Sequence, residues 1–156
     1  MKKKLLFVCL GNICRSPSAE AVMNAYLRIN QLDTEFECDS VGTGGWHAGD
    51  PADSRMQRHA IKRDYNLTSI ARQFNPKNDF DEFDLIFGMD EQNVSDLKSF
   101  ARNSDDLNKM KSMTAYCSRF VNYNSVPDPY YGGANGFELV LDILEDACEG
   151  LLKELT

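Results

Sequence analysis

The feature that most limits what this chain can become is a strand, a tight loop and a helix start set side by side between Leu5 and Pro17. Leu5-Leu6-Phe7-Val8 is a short apolar run with the pattern of a buried strand. It ends at Cys9, and Ser16-Pro17 is expected to open a helix, since Ser is a favoured N-cap and Pro suits the first helical position. The residues between run Leu10-Gly11-Asn12-Ile13-Cys14-Arg15. Such a loop joins a strand's carboxyl end to a helix's amino end, where unpaired backbone N–H groups and the helix dipole attract anions. Once curled, it can aim Cys9 and Arg15 at one point. The thiolate is the nucleophilic form of cysteine, and a helix N-terminus and a nearby Arg both favour it. The guanidinium is a planar fork that matches two phosphate oxygens. A nucleophile beneath a nest of N–H donors, with a guanidinium alongside, implies phosphoryl transfer.

Further along, Val22, Ala25, Tyr26, Ile29 and Leu32 recur at helical spacing, and Phe36–Val41 reads as a second strand with Cys38 as a small core residue. Gly42 to Pro51 is a breaker-rich loop carrying the only Trp, Trp46, beside His47. A Trp among glycines either covers a neighbouring element or walls a pocket, and His47 is given no catalytic role. Asp53–Tyr65 is expected to be helical, with Met56, Ala60, Ile61 and Tyr65 inward and His59 exposed. The acidic cluster Asp79, Asp81, Glu82 and Asp84 reads as solvated surface. Leu85-Ile86-Phe87-Gly88-Met89 has the continuous apolar character of a central parallel strand, and Asp90 follows as a helix cap. Arg102–Lys111 reads as exposed, Met113–Cys117 as the last strand, and the residues from Phe137 onward as an amphipathic helix packing Cys148. Strands alternating with helices call for an α/β, three-layer fold: an open parallel four-stranded sheet in flavodoxin-like order, with helices on both faces and the Cys9 loop at the sheet's carboxyl edge.

A chain of 156 residues is about one domain, spanning 1–156, and nothing in it resembles a linker or a repeat. Lys2-Lys3-Lys4 could begin a signal peptide, yet the apolar run behind it meets Gly11-Asn12 instead of a small-residue cleavage site. The five cysteines contain no Cys-x-x-Cys pair, and their odd number argues against a disulfide scaffold, so a reducing cytoplasm is expected. The net charge of −7 argues against nucleic acid as a partner and requires anion binding to be built locally. Two histidines and five cysteines at these spacings suggest no metal site and no cofactor.

Cys-Leu-Gly-Asn-Ile-Cys-Arg-Ser, positions 9 to 16, resembles the phosphate loop of the low-molecular-weight protein tyrosine phosphatases. Val126-Pro127-Asp128-Pro129-Tyr130-Tyr131-Gly132 is similar to that family's general-acid loop, and Met89-Asp90-Glu91-Gln92-Asn93 to another of its motifs. The Trp46 loop, with Pro51, Asp53 and Arg55, also fits the family. The resemblance implies a phosphocysteine on Cys9, phosphate held by Arg15 and the N–H groups of Leu10 to Ser16, and Asp128 as general acid and base. Asn12 would shape the loop, Ser16 would assist the departing thiolate, and Asp90 could orient loop residues. Leu10, Trp46, Tyr130 and Tyr131 would wall a slot deep enough to favour phosphotyrosine. Ser69 stands where many relatives have a histidine that supports the loop asparagine. Cys14 raises a redox role, because an accessible thiolate is readily oxidised and a neighbouring thiol can condense with it. The expected partner is a tyrosine-phosphorylated protein or peptide; neither nucleic acid nor membrane is expected, and the chain would act as a monomer or at most a weak dimer. Two other functions compete: a thiol-dependent arsenate reductase of the same fold, which needs relay cysteines that the span from Leu85 to Met113 lacks, and a non-catalytic phosphopeptide-binding module, which would not need Cys9 and Asp128.

Overall fold

A parallel strand buried on both sides is apolar throughout, and the first strand sets the architecture. In the computed structural model, which describes residues 2–129 and 133–156, β1 (Lys3–Cys9) is buried from Leu5 to Cys9. It lies between β2 (Phe36–Gly42) and β3 (Leu85–Gly88), and β4 (Met110–Ser112) pairs with β3. The order is β2-β1-β3-β4 and every pairing is parallel, with Cys9 opposite Gly42 and Val8 opposite Gly88. The expected flavodoxin-like order is therefore present.

Side chains alternate across a strand, so β1 feeds two cores. Leu5, Phe7 and Cys9 join Val22, Met23 and Leu27 of α1 (Arg15–Ile29), Met56 and Ala60 of α2 (Ser54–Ile61), and Leu141, Leu144 and Cys148 of α6 (Ala134–Leu155). Leu6 and Val8 join Phe80 of α3 (Pro76–Glu82) and Leu97 of α4 (Glu91–Phe100) on the opposite face. A sixth helix, α5 (Ser104–Lys109), leads into β4. Gly42 permits the loop after β1 to lie against β2, because a Cβ there would stand 2.7 Å from the Leu10 carbonyl oxygen.

Several local expectations need correction. Helix α1 begins at Arg15 with Cys14 at the capping position and no side-chain cap, so Ser16 and Pro17 sit inside the first turn. Pro17 is tolerated there because N–H groups of the first turn lack intrahelical partners. The last strand is β4, earlier than expected, and Met113–Tyr116 forms a 3₁₀ turn. Asp79 is buried, where it takes two guanidinium bonds from Arg72 and one from the Asn75 N–H. Asp106 is likewise buried against Arg102. His59 stacks on Phe137 and bonds Glu138, whereas Ile61 is exposed. Each correction of a charged or polar residue has a specific partner behind it: an arginine four or seven residues upstream for Asp106 and Asp79, and Glu138 and Phe137 from a distant helix for His59.

A buried acid of the last helix pins a loop by its backbone. Asp146 of α6 is 1% exposed and accepts from the N–H groups of Ser118, Arg119 and Phe120 at 3.1, 2.8 and 2.8 Å. Burial alone would raise its carboxyl, but the bonds from Phe120, Ser118 and Arg119 outweigh it and bring the carboxyl down to about 2. A depressed folded value means that the stabilisation is full above the ordinary value of 3.8 and is lost as pH falls through about 2. Asp146→Asn is expected to cost about 2 kcal/mol at neutral pH. Urea unfolding should show the gap to wild type closing as pH drops from 4 towards 2; a gap independent of pH would contradict the assignment.

Candidate active site

The nucleophile's position follows from the strand. Cys9 is the last residue of β1 and is almost wholly buried, with Sγ 3.0 Å from Ser16 Oγ and accepting from the Asn12 N–H at 3.3 Å. The loop turns back on itself at Asn12, whose φ of 59° is left-handed, a conformation that Asn tolerates better than most residues. Its side chain holds the turn. Asn12 Nδ2 donates to Ser16 Oγ at 2.8 Å and to Ser40 Oγ at 3.0 Å, and Oδ1 accepts from the Arg72 N–H at 3.0 Å. Ser69 is not among these partners; Ser40 of β2 and the Arg72 backbone give the support.

Arg15 is 3% exposed, so its charge must be met inside the protein. Nη1 donates to Asp90 Oδ2 at 2.6 Å and to the Val126 carbonyl at 3.1 Å, and Nη2 lies 3.7 Å from Asp128 Oδ2. Burial opposes the charged guanidinium, but Cys9, Asp90 and Asp128 together raise its proton affinity further. Asp90 has two tasks, since Oδ1 caps α4 through the Asn93 N–H while Oδ2 orients Arg15. Asp128 is exposed where Arg15 is not, and so is open to solvent and to an incoming ligand.

These residues border a cavity of about 300 Å³ lined by Cys9 to Gly11, Ile13 to Arg15, Trp46, His47 and Asp128. Trp46 is 69% exposed, with its ring laid over Gly44, so it walls the cavity instead of filling a core. His47 is a wall residue that sequence reasoning passed over. Its ring lies against Gly11, and Nδ1 is 3.4 Å from Asp50. The cue was its place beside Trp46. Leu10 is partly exposed at the rim. Tyr130 and Tyr131, the other expected wall residues, lie outside the described residues. Cys14 is buried next to the nucleophile, and burial, Asp53 and Cys9 all push its thiol up, which keeps it protonated. Among the described residues no group of three or more His, Cys, Asp or Glu is arranged to hold a metal ion. None of their helices is long and apolar enough to cross a membrane.

The site's chemistry is that of an oxyanion cradle around a buried thiol, with a guanidinium and a solvent-facing carboxyl at its mouth. Known proteins match it over the whole chain. The family model described as Low molecular weight phosphotyrosine protein phosphatase matches residues 4–156. A low molecular weight phosphotyrosine protein phosphatase of Drosophila melanogaster is 42% identical, covering 99% of this chain and 97% of its own. A low molecular weight protein-tyrosine-phosphatase of Streptomyces coelicolor is 40% identical, covering 97% of this chain and 93% of its own. The crystal structure of a protein tyrosine phosphatase from Entamoeba histolytica with Hepes in the active site superposes with a TM-score of 0.95 at 46% identity, covering 99% of this chain and 97% of that one.

Proposed function

The chain belongs to the low molecular weight phosphotyrosine protein phosphatase family, and from that premise we propose that it hydrolyses phosphotyrosine in proteins through a phosphocysteine on Cys9. The observation that carries this reading is the meeting of Cys9, Arg15 and Asp128 at one cavity. Cys9 attacks phosphorus in line, and the S–P bond forms as the bond to the tyrosine oxygen breaks. Asp128 gives its proton to that oxygen. Water, losing a proton to Asp128, then attacks the phosphocysteine; the S–P bond breaks, Cys9 leaves as thiolate, and inorganic phosphate departs. The N–H groups from Leu10 to Ser16 and the Arg15 guanidinium hold the equatorial oxygens, where charge is concentrated in both transition states. The Ser16 hydroxyl, 3.0 Å from the sulfur, donates to the leaving thiolate in the second step.

The burial of Cys9 supports the proposed selectivity. Its buried thiol is reached through a mouth bordered by Leu10 and Trp46, which suits a flat aryl ester and leaves a short alkyl phosphate unable to reach the sulfur. Arsenate reduction would need relay thiols besides Cys14 that reach Cys9. Cys117 instead faces the Ile143 carbonyl, Cys148 faces the Ala19 carbonyl, and Cys38 lies within β2; none of the three lines the cavity. A binding module would have no use for Asp128 beside Arg15. The protein is proposed to act as a cytoplasmic monomer.

Asp128→Ala should lower kcat by roughly 10²–10⁴ for phosphotyrosine, the usual worth of general acid–base catalysis. The loss in kcat/KM should shrink as the leaving group improves, because a good leaving group needs no proton. Equal losses across a series of aryl phosphates would remove Asp128 from the acid role.

Cys14 extends the proposal to redox control. Peroxide would convert Cys9 to a sulfenic acid, and the Cys14 thiol would then displace hydroxide from that sulfur, forming a disulfide and releasing water. After equal peroxide exposure, wild type should recover activity with a thiol reductant, whereas Cys14→Ser should accumulate sulfinic or sulfonic Cys9. Equal recovery in both would leave Cys14 as packing beneath the loop.

A further inference from the structure

Helix α6 starts without a cap of its own. Gly133 holds the capping position with no side-chain bond to the helix, and Ala134 and Asn135 are exposed. Helix ends leave backbone groups unpaired, so an uncapped start relies on tertiary packing to keep its place. The first buried side chain of α6 is Phe137, and α2 grips it from two directions. The His59 ring stacks on it with centroids 5.3 Å apart and planes 8° apart, and the Arg55 guanidinium carbon lies 5.0 Å from its centroid. Glu138, the next residue, bonds His59 Nδ1 and accepts from Arg63 at 2.8 Å.

The same first turn meets the residue that follows Asp128. Pro129 is buried, and a Cβ placed on Gly136 would stand 3.7 Å from the Pro129 Cβ and 3.8 Å from its Cα, an ordinary packing distance. On the other side of Asp128, the Val126 N–H donates to the Met89 carbonyl at 2.7 Å and the Val126 carbonyl accepts from Arg15 at 3.1 Å. Asp128 is thus carried between two supports, one at the end of β3 and one at the start of α6. Proline fixes its own φ, so a shift of Pro129 passes directly to the residue before it. The α2 end of the grip is itself anchored, because the Asp53 carboxylate caps that helix and bonds Arg55 Nε and Nη2 at 3.3 and 3.1 Å.

We propose that Phe137 is a positioning residue for Asp128: clamped between Arg55 and His59, it fixes the turn of α6 on which Pro129 rests, and so holds the Asp128 carboxyl at the cavity mouth. The proposal rests on Asp128 being the general acid. Such a carboxyl has to stand within hydrogen-bond reach of the leaving oxygen, and a misplacement of about 1 Å can cost about 10² in rate. The contact with Arg15 does not fix it, since Nη2 is 3.7 Å from Oδ2, beyond a good hydrogen bond, and the Asp128 side chain is exposed. Backbone placement therefore decides where the carboxyl stands. Phe137, His59 and Arg55 do not line the cavity, so the clamp touches neither phosphate nor Cys9 and acts on the chemistry through Asp128.

The test measures kcat/KM over a series of aryl phosphates of graded leaving-group ability, with inhibition by inorganic phosphate in parallel. The proteins are wild type, Phe137→Leu, His59→Ala, His59→Phe and Asp128→Ala, with the first two substitutions repeated in the Asp128→Ala background. Phe137→Leu and His59→Ala should each lose on the order of tenfold on the poorest leaving group, part of the loss a full misplacement brings, and almost nothing on the best. Inhibition by phosphate should be unchanged. His59→Phe keeps the stacked ring and should behave as wild type. Neither substitution should lower activity further once Asp128 is gone, because residues that act as a unit are not additive. A merely structural role would lower thermal stability and give losses that are equal for all leaving groups and multiply with that of Asp128→Ala; either result overturns the proposal. If Phe137→Leu does not fold, the two His59 variants decide alone. An Asp128→Ala protein whose own loss ignores the leaving group would refute the acid role and the clamp with it, whereas a normal Asp128→Ala profile beside flat losses in the clamp variants would refute the clamp alone.

Discussion

The structure depends on one side-chain amide. A tight loop between a strand's end and a helix's start leaves backbone donors that the helix itself cannot pair, so its conformation has to be held from outside. Asn12 makes the arrangement possible by taking the left-handed turn and closing it with three bonds, to Ser16, Ser40 and the Arg72 backbone. The remainder of the fold supplies those three partners: α1 brings Ser16, β2 brings Ser40, and the segment before α3 brings Arg72. The α/β order thus matters to function chiefly because it sets β1 beside β2 and places the loop at their common edge.

The site also solves an electrostatic problem set by the chain as a whole. In a protein of net charge −7 the global field gives a phosphate dianion no help, so the binding proposed for Arg15 has to be local. The cation at the cavity, Arg15, is almost fully buried, which concentrates its interaction there. Burying a guanidinium is costly unless it is paired and hydrogen-bonded, and Asp90 and the Val126 carbonyl meet that need from one side. Nη2 faces Asp128 at the cavity mouth. One edge of the guanidinium is therefore structural, and the rest of it faces the chemistry.

Much of this was legible in the sequence, for reasons that differ by residue. The apolar run of β1 and the adjacent loop are local signals, and so are Asp128 between its prolines and the stripe of α6. Ser40 left no such mark, because a serine in a strand gains its meaning only when β2 lies beside β1. Asp79 and Asp106 looked like ordinary surface acids, yet each is buried against an arginine seven or four residues upstream, a pairing that charge pattern alone does not distinguish from a solvated cluster. Strand β4 is only three residues long, too short for alternation to show, and the apolar residues after it belong to a 3₁₀ turn. Ser16 illustrates both sides: its hydroxyl faces the Cys9 sulfur as the resemblance implied, but it lies inside the first turn and does not cap the helix.

The central claim is that phosphate passes through the Cys9 sulfur. Mixing the enzyme with a phosphotyrosine peptide, quenching within the first turnover and mapping the phosphorylated residue by mass spectrometry tests it most directly. The account predicts a phosphoryl group on Cys9 that forms before free phosphate appears and decays as phosphate is released. Phosphate released at full rate with no modified Cys9 at any quench time, or with the phosphoryl group on another residue, would contradict it.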